Sequence, residues 1–210
     1  MEKISVGECI KFGWNTFKKR PLIIIGAFVI AVLISGISSA ILDPGEGAPI
    51  TVTTVLMGLV SMLIGLMVEI GLVTFSLRAH DNIESAKLGD LWNPKPFLYY
   101  LVGQIIVGVV VIVGLILLVV PGVVAALGLM FTSYLIIDKN RGPIEATKES
   151  WNMTKGHRWE LFLLVVSIIG LNILGVLALV VGLLVSVPVS MLAVVHVYRK
   201  LSAAAPVQAA

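Results

Sequence analysis

The chain of 210 residues is 58% hydrophobic and only 13% charged, and its mean hydropathy is +1.04. Soluble domains carry about 25% charged residues, so this composition excludes an ordinary water-soluble protein and predicts an integral membrane protein. The 15 Lys and Arg residues exceed the 12 Asp and Glu residues by three, and we interpret this excess as basic flanks of membrane helices, with no nucleic acid as partner. The single cysteine excludes a disulfide framework.

Residues 5–19 have the pattern of a short amphipathic helix. Ser5 and Glu8 have the spacing of a capping box, in which each side chain satisfies a free backbone N–H of the first turn. The apolar side chains recur at helical spacing and form one stripe: Val6, Ile10, Trp14 and Phe17. Such a helix either lies in the headgroup layer or packs on the protein's own cytoplasmic face, and the pattern favours neither.

Two apolar runs follow, at 21–42 and 51–77, and each is long enough to cross a bilayer. Pro21 suits the first turn of a helix, where its missing N–H costs nothing. The residues between the runs are rich in Pro and Gly and predict a loop. We therefore predict the first two spans at these positions, followed by a polar segment at 78–96.

Residues 97–137 contain no charged side chain. One crossing of the bilayer needs about 20 apolar residues, so this run is about twice as long as a single span requires. Pro121 and Gly122 supply a turn within it. We predict two spans here, at 97–120 and 122–137.

The polar segment 138–158 separates this run from the next one. Pro143 can begin a helix in this segment and Gly156 can end it. The sequence therefore predicts a second short amphipathic helix, placed before the fifth span.

The last apolar run is long enough for two further spans, which we predict at 159–181 and 183–200. Their turn is placed at Gly182, because a break at Pro188 would leave a final helix too short to cross the membrane. Pro188 is then expected to kink the sixth span.

The basic residues predict the orientation of the chain. With six spans, all fifteen Lys and Arg residues fall in the N-terminal segment, in 78–96, in 138–158 or at the C-terminal end. An even number of crossings places these four segments on one side, whereas the first loop of the opposite side carries only Asp43 and Glu46. Positive residues mark the cytoplasmic face, so we expect a multi-pass protein of the cell membrane with both termini cytoplasmic.

A short motif recurs along the chain. Trp-Asn, followed by Lys three residues after the Asn, occurs at Trp14 and again at Trp151, and each copy precedes an apolar span. We interpret the chain as one membrane domain, 1–210, with a repeat of three units: 1–77, 78–140 and 141–201.

Glu69 interrupts the second predicted span. A central acid costs at least about 2.5 kcal/mol to insert, so an ionisable residue within a span indicates a function by default. Gln104 lies at a similar distance from the cytoplasmic end of the third span, and we expect the two side chains to meet. The pair is either a proton or cation site or a structural contact between helices, and we favour the structural interpretation. Asn172 in the fifth span is a weaker candidate of the same kind.

Five basic residues lie beside the ends of predicted spans, where anionic headgroups can reach them: Lys18, Lys19, Arg20, Lys155 and Arg158. Each such charge is worth about 1 kcal/mol near an anionic surface. The sequence contains no phosphate-binding glycine loop, no zinc-type His-Glu-x-x-His and no paired carboxylates within a span. We therefore predict no catalytic residue, metal or cofactor, and no enzymatic activity.

The chain contains a set of short motifs, at 88–92, 120–122, Asp138, 143–150, 154–156, Trp159, Phe162, Pro188 and 198–201. In these motifs the chain resembles an uncharacterised class of bacterial and archaeal multi-span proteins, related to the membrane domain attached to some glycerophosphoryl diester phosphodiesterases. The resemblance covers 88–201 and, more loosely, 5–30. It implies a membrane protein of about six spans and unknown activity, and it brings no catalytic residues.

The sequence as a whole predicts an all-α integral membrane protein. Its six transmembrane helices form three hairpins, with short amphipathic cytoplasmic helices before the first and fifth spans. The favoured function is a non-catalytic protein that binds membrane lipids, a membrane-protein partner or a second copy of itself through its basic cytoplasmic rim. The alternative is a small transporter or channel with Glu69 in the pathway.

Overall fold

The computed structural model describes residues 4–43, 45, 49–178 and 181–204. Within these ranges all regular structure is helical, with a single 3₁₀ turn at Leu88–Leu91. The α-helices are α1 (Val6–Lys19), α2 (Pro21–Leu42), α3 (Val52–Asp81), α4 (Phe97–Leu117), α5 (Val119–Leu129), α6 (Thr132–Lys139), α7 (Pro143–Met153), α8 (Arg158–Leu177) and α9 (Leu183–Ala204). Lys3, Glu46 and residues 179–180 of the predicted fifth span lie outside the described residues.

Six helical segments are long and apolar enough to cross a membrane, which confirms the number predicted from hydropathy. They are α2, α3, α4, the pair α5–α6, α8 and α9. The pair α5–α6 counts as one segment because the chain continues from Met130 and Phe131 directly into the second helix.

The turn between α4 and α5 differs from the prediction. The chain turns at Leu118, which has an extended backbone (φ −166°, ψ 151°), and not at Pro121 and Gly122. Pro121 lies in the first turn of α5, where its missing N–H removes no helical hydrogen bond. Gly122 then allows a close approach to α4, because a Cβ on Gly114 would lie 2.9 Å from the Cα of Gly122.

The remaining boundaries shift by similar amounts. α3 continues to Asp81, beyond the predicted end at 77, and α8 ends at Leu177, before the predicted end at 181. α9 begins at Leu183, immediately after the predicted turn residue Gly182, and continues as a helix through Pro188.

Helices that follow each other in the chain pack together: α2 with α3, α4 with α5, and α8 with α9. Contacts between these pairs are concentrated at one end of the bundle. Asp81 at the end of α3, Asp138 near the end of α6 and Arg199 near the end of α9 meet there. We call this end the packed end, and the opposite end, where α4 turns into α5, the open end.

Burial falls from the packed end to the open end. In α3 the side chains of Ile70, Val73 and Leu77 are buried, whereas Leu56 and Val60 toward its start are about half exposed. Half of the apolar window of α9 is buried, against 11% in α3 and in α4. The open end therefore keeps large apolar surfaces exposed, which suits hydrocarbon as its surroundings.

α1 packs along α9. Its buried face consists of Cys9, Gly13, Thr16 and Phe17. The predicted stripe is therefore wrong at Trp14, which is 44% exposed. The physical reason is Gly13, where an added methyl group would overlap the carbonyl oxygen of Val189. Small side chains let α1 approach the α9 backbone, so this helix packs on the protein itself.

α7 folds back along α5 and α6. The Ser150 hydroxyl donates to the carbonyl oxygen of Gly128 at 2.9 Å and accepts from the N–H of Phe131 at 3.2 Å. The Thr154 hydroxyl reaches the same Gly128 oxygen at 3.2 Å. The break between α5 and α6 frees backbone groups from helical pairing, and these two hydroxyls satisfy them.

Candidate functional site

The structure brings Glu69 and Gln104 together. Nε2 of Gln104 lies 3.2 Å from Oε1 of Glu69, to which it donates, and 3.1 Å from the hydroxyl oxygen of Tyr100. Tyr100 is fully buried, whereas Glu69 is exposed on the surface of α3. An amide donor partly satisfies the carboxylate, and whether the pair has a function beyond packing stays a prediction.

Glu69 lies between the middle of α3 and the packed end. Two residues further along α3, a methyl group on Gly71 would overlap the carbonyl oxygen of Leu91, so the segment 82–96 touches α3 at this level. One turn later, the amide of Asn93 donates to the Thr74 hydroxyl at 3.1 Å. The carboxylate is therefore placed close to a polar connecting segment, where an acid costs less than at the centre of a bilayer.

Asn172 on α8 does not join this pair. Its Oδ1 atom is buried and has no hydrogen-bond partner among the residues that the structure describes. A buried amide oxygen without a hydrogen-bond partner is unfavourable. Because Asn172 lies on an apolar helix, its side chain is a candidate for a contact between membrane helices.

The five predicted headgroup residues fall into two groups. Lys18, Lys19 and Lys155 are exposed. Arg20 instead donates to the backbone oxygens of the segment after α3, with the closer contact, to Glu84, at 2.8 Å. Arg158 stacks on Trp151, with its guanidinium carbon 3.9 Å from the ring centroid. Both arginines therefore stabilise the packed end through contacts within the protein, whereas the three exposed lysines remain accessible to a headgroup.

Seven lysines are exposed and form no ion pair with any described residue: Lys11, Lys18, Lys19, Lys87, Lys95, Lys148 and Lys155. We call this set the lysine rim, because its members lie on α1, on α7 and in the segments that connect helices at the packed end. Other cations there are paired with acids, such as Lys139 with Glu149 at 2.8 Å. The rim therefore carries uncompensated positive charge.

An apolar groove of about 650 Å³ lies between α2, α3 and the segment 91–98. Its walls include Ile30 and Ile34 of α2 and Val60 and Val68 of α3. Among the described residues that line it, Lys95 alone carries a charge. The groove is open at the side, since Ile34 and Val60 are each 45% exposed. Sequence reasoning missed it, because its walls come from three segments that are far apart in the sequence.

Sequence reasoning also missed an ionic network at the packed end. Nε and Nη2 of Arg199 donate to the two carboxylate oxygens of Asp81 at 3.0 and 2.6 Å, and Nη1 donates to Asp138 at 2.6 Å. The hydroxyl of Tyr198 donates to the same Asp138 oxygen at 2.8 Å. The network joins α3, α6 and α9, and its members are too far apart in sequence to leave a local pattern.

A second cluster fixes α1 beside this network. Nε2 of His80 and Nδ1 of His196 lie 3.1 Å apart, and the Phe12 ring stacks on His196 with the ring centroids 4.1 Å apart. Lys200 pairs with Glu8 of α1 at 3.1 Å. These contacts join α1 to the ends of α3 and α9 and give the packed end a single connected polar layer.

Cys9 lies in the contact between α1 and α9 and has no exposed surface. Burial raises the pKa of its thiol, while the positive charge of Lys200 acts in the opposite direction. A buried, protonated thiol is a poor nucleophile, so Cys9 is a packing residue. Within the described ranges, no group of three His, Cys, Asp or Glu side chains is placed to hold a metal ion.

Comparison with known proteins identifies relatives that are themselves uncharacterized. The chain is 24% identical to the uncharacterized protein Rv2560 of Mycobacterium tuberculosis and 23% identical to the uncharacterized protein Mb2590 of Mycobacterium bovis. Each match covers 98% of this chain and 71% of the relative. No solved structure matches the chain.

A family model described as "Protein of unknown function (DUF975)" matches residues 47–205. This range includes the second to sixth apolar segments, the groove walls on α3 and the Arg199 network. The chain belongs to the DUF975 family of proteins of unknown function.

Proposed function

We propose that this protein is a non-catalytic component of the cell membrane that binds anionic lipids through the lysine rim. In this proposal the six apolar segments cross the bilayer as three hairpins, α2–α3, α4–α6 and α8–α9. The packed end and both termini are cytoplasmic, with α1 and α7 as amphipathic helices at that face. The distribution of Lys and Arg supports the orientation, because all described cations lie toward the packed end.

The single observation that carries the proposal is the set of seven exposed lysines without an acid partner among the described residues. Clusters of four to eight basic residues immediately beside membrane spans are typical of proteins that bind anionic lipids. A charge already paired within the protein gains little from a phosphate. Lysines without an internal partner keep their full attraction for an anionic headgroup, which falls off over about 8 Å at physiological salt.

The test measures headgroup selectivity, since any membrane protein contacts lipid. The full chain is reconstituted into vesicles that contain phosphatidylglycerol and phosphatidylcholine, and the enrichment of each lipid around the protein is measured with spin-labelled lipids. Replacing Lys18, Lys19 and Lys155 by Gln is expected to lower the enrichment of phosphatidylglycerol, because each charge contributes about 1 kcal/mol near the surface. The matched control is Lys139→Gln, which removes a charge that Glu149 already compensates.

Equal selectivity in the triple variant and in the control would contradict this proposal. The rim can also bind acidic side chains of a membrane-protein partner or of a second copy of the chain. Loss of a cross-linked complex in the same triple variant, with lipid selectivity unchanged, would assign the rim to protein partners instead of lipids.

A second candidate function is a small transporter or channel, and the contact between Glu69 and Gln104 favours it. A carboxylate on an apolar helix, held by an amide at 3.2 Å, is a group that can exchange a proton or bind a cation. Proteoliposomes give the test: an ion flux that disappears in Glu69→Gln and survives in Asn172→Ala would establish this function. An identical flux in the wild-type protein and in Glu69→Gln removes Glu69 from any pathway.

The relation of residues 88–201 to the membrane domain attached to some glycerophosphoryl diester phosphodiesterases is likewise a proposal, which rests on the sequence motifs alone. In this chain several of those motif residues have a structural role. Ser150 and Thr154 satisfy the backbone at Gly128, and Tyr198 donates to Asp138. The motif is therefore explained by the packing of α5, α6, α7 and α9, and it supports a shared architecture more directly than a shared activity.

A further inference from the structure

We propose that the groove between α2, α3 and the segment 91–98 holds an acyl chain of one anionic phospholipid, whose headgroup lies at Lys95 and Trp92. This inference rests on the proposed membrane function and names both the lipid class and its site. The lipid belongs to the leaflet at the packed end.

The length of the groove matches one leaflet of a bilayer. Its polar mouth is at the level of Gly71, where Leu91 touches α3, and Val60 lines its far end. These two α3 residues are eleven positions apart, or about 16 Å at 1.5 Å per residue. Half of the hydrocarbon core measures about 15 Å. An acyl chain that enters beside Lys95 therefore reaches the middle of the bilayer within the groove.

The same length argues against a membrane-spanning helix as the occupant, because such a helix would need a contact surface about 30 Å long. The volume of about 650 Å³ lies within the range of about 300–1,000 Å³ that is usual for small-molecule sites. The exposed Ile34 and Val60 leave the groove open toward the surrounding lipid, so a lipid can enter sideways without a movement of the helices.

The apolar walls alone cannot select a lipid. Lipid tails are as apolar as Leu side chains, so a chain that moves from bulk lipid into the groove gains little hydrophobic free energy. Selection must come from the headgroup, and here the mouth of the groove is specific. Lys95 forms no ion pair within the described part of the chain, whereas Arg78 is paired with Asp90 of the same connecting segment.

Trp92 completes the mouth of the groove. Its side chain is 74% exposed, although it lines the groove beside Lys95. Indole rings are enriched at the headgroup level of membranes, where an apolar ring and a polar N–H are both satisfied. A cation and an indole at the open mouth of an apolar groove complement a negatively charged headgroup with its acyl chain below it.

The experiment uses the full chain in a non-ionic detergent, equilibrated with equal amounts of phosphatidylglycerol and phosphatidylethanolamine, with retained lipids counted by native mass spectrometry. Lys95→Gln is expected to lower the preference for phosphatidylglycerol by about fivefold, the effect of one charge near a headgroup. Its matched control is Lys139→Gln, which removes a charge that Glu149 already compensates, at a position that does not line the groove. The control is expected to keep the preference of the wild-type protein.

A second pair of variants tests the groove itself. Ile34→Trp fills the groove from α2 and is expected to abolish retention of both lipids. Val32→Trp adds the same ring at an exposed position of α2, 52% exposed, that does not line the groove, and is expected to retain them. Both substitutions replace side chains that are exposed in the structure.

The proposal is overturned if Ile34→Trp retains as much lipid as Val32→Trp, or if Lys95→Gln keeps the preference of Lys139→Gln. Loss of a protein dimer in Ile34→Trp would assign the groove to a second copy and overturn it as well. Lys95 is a member of the lysine rim, but the outcome is separable from the test of Lys18, Lys19 and Lys155, because these three lysines do not line the groove. Their triple Gln variant is expected to keep the single retained lipid even if the selectivity of the surrounding lipid is lost.

Discussion

Replacing Arg199 by Met should destabilise the packed end, because it removes a cation that contacts both Asp81 and Asp138. Met retains an apolar stem of similar length and leaves the two carboxylates without this partner. Asp81 is 51% exposed and can be rehydrated, whereas Asp138 is only 18% exposed and stays shielded from water. The cost of the substitution therefore comes mainly from Asp138.

The magnitude follows from these contacts. A hydrogen bond to a charged group contributes about 1.5–3 kcal/mol, whereas an exposed ion pair contributes about 0–1 kcal/mol. The Asp138 contact is of the first kind and the Asp81 contact of the second, which together give a loss of about 1.5–4 kcal/mol. For a domain of this size each kcal/mol lowers the midpoint of thermal unfolding by about 2–4 °C, so we expect a shift of about 3–16 °C.

The assay is thermal unfolding in detergent micelles, followed by the fluorescence of the four Trp residues. The matched control is Lys200→Met, which breaks the pair with Glu8, an acid that is 57% exposed; its midpoint should fall by no more than about 4 °C. Adding Asp138→Asn to Arg199→Met should recover part of the loss, because it removes the shielded, uncompensated charge. Equal midpoints for Arg199→Met and Lys200→Met would refute this reasoning.

Three further predictions concern α1 and the topology. Gly13→Ala should destabilise the protein by about 1–3 kcal/mol, since the added methyl group overlaps the Val189 carbonyl. Gly7→Ala, which has open space around it, is the control in the same unfolding assay. Equal midpoints for the two variants would contradict the packing of α1 on α9. Cys9 should react with a maleimide in the folded protein far more slowly than the thiol of Ser85→Cys, an exposed position, in a Cys9→Ser background. The labelling rates are measured by mass shift, and equal rates would show that α1 detaches from α9. Reporters fused to either terminus should both be active on the cytoplasmic side, and a periplasmic reporter active at one terminus would exclude an even number of spans.

The sequence was sufficient for the number of apolar segments because a bilayer leaves a spanning chain few alternatives. Backbone groups in hydrocarbon must be satisfied within the helix, so length and hydropathy decide where a helix can span. The contact between Glu69 and Gln104 could also be anticipated, because each lies nine residues from a basic residue at the same face. Both inferences needed only distances along single helices.

Features that depend on contacts between distant segments could not be predicted in this way. Arg199 is 118 positions from Asp81 and 61 from Asp138, so no periodicity connects them. Pro121 fits a turn and the first turn of a helix equally well, and the close approach of α5 to α4 decides between these positions. The face of α1 was predicted from its large apolar residues, whereas the contact with α9 selects the small ones.

The contrast between the two ends of the bundle explains why the groove lies where it does. At the open end, hydrocarbon solvates the apolar faces, so neighbouring helix pairs gain little from packing together. The proposed topology places the packed end in water, where apolar burial is favourable, and the ionic network joins α3, α6 and α9 there. The groove lies between α2, α3 and the segment 91–98, where the polar connecting segment meets apolar helix faces. A lipid held there would contact α2, α3 and the segment 91–98 at once, and would supply the contacts between them that the protein's own side chains leave open.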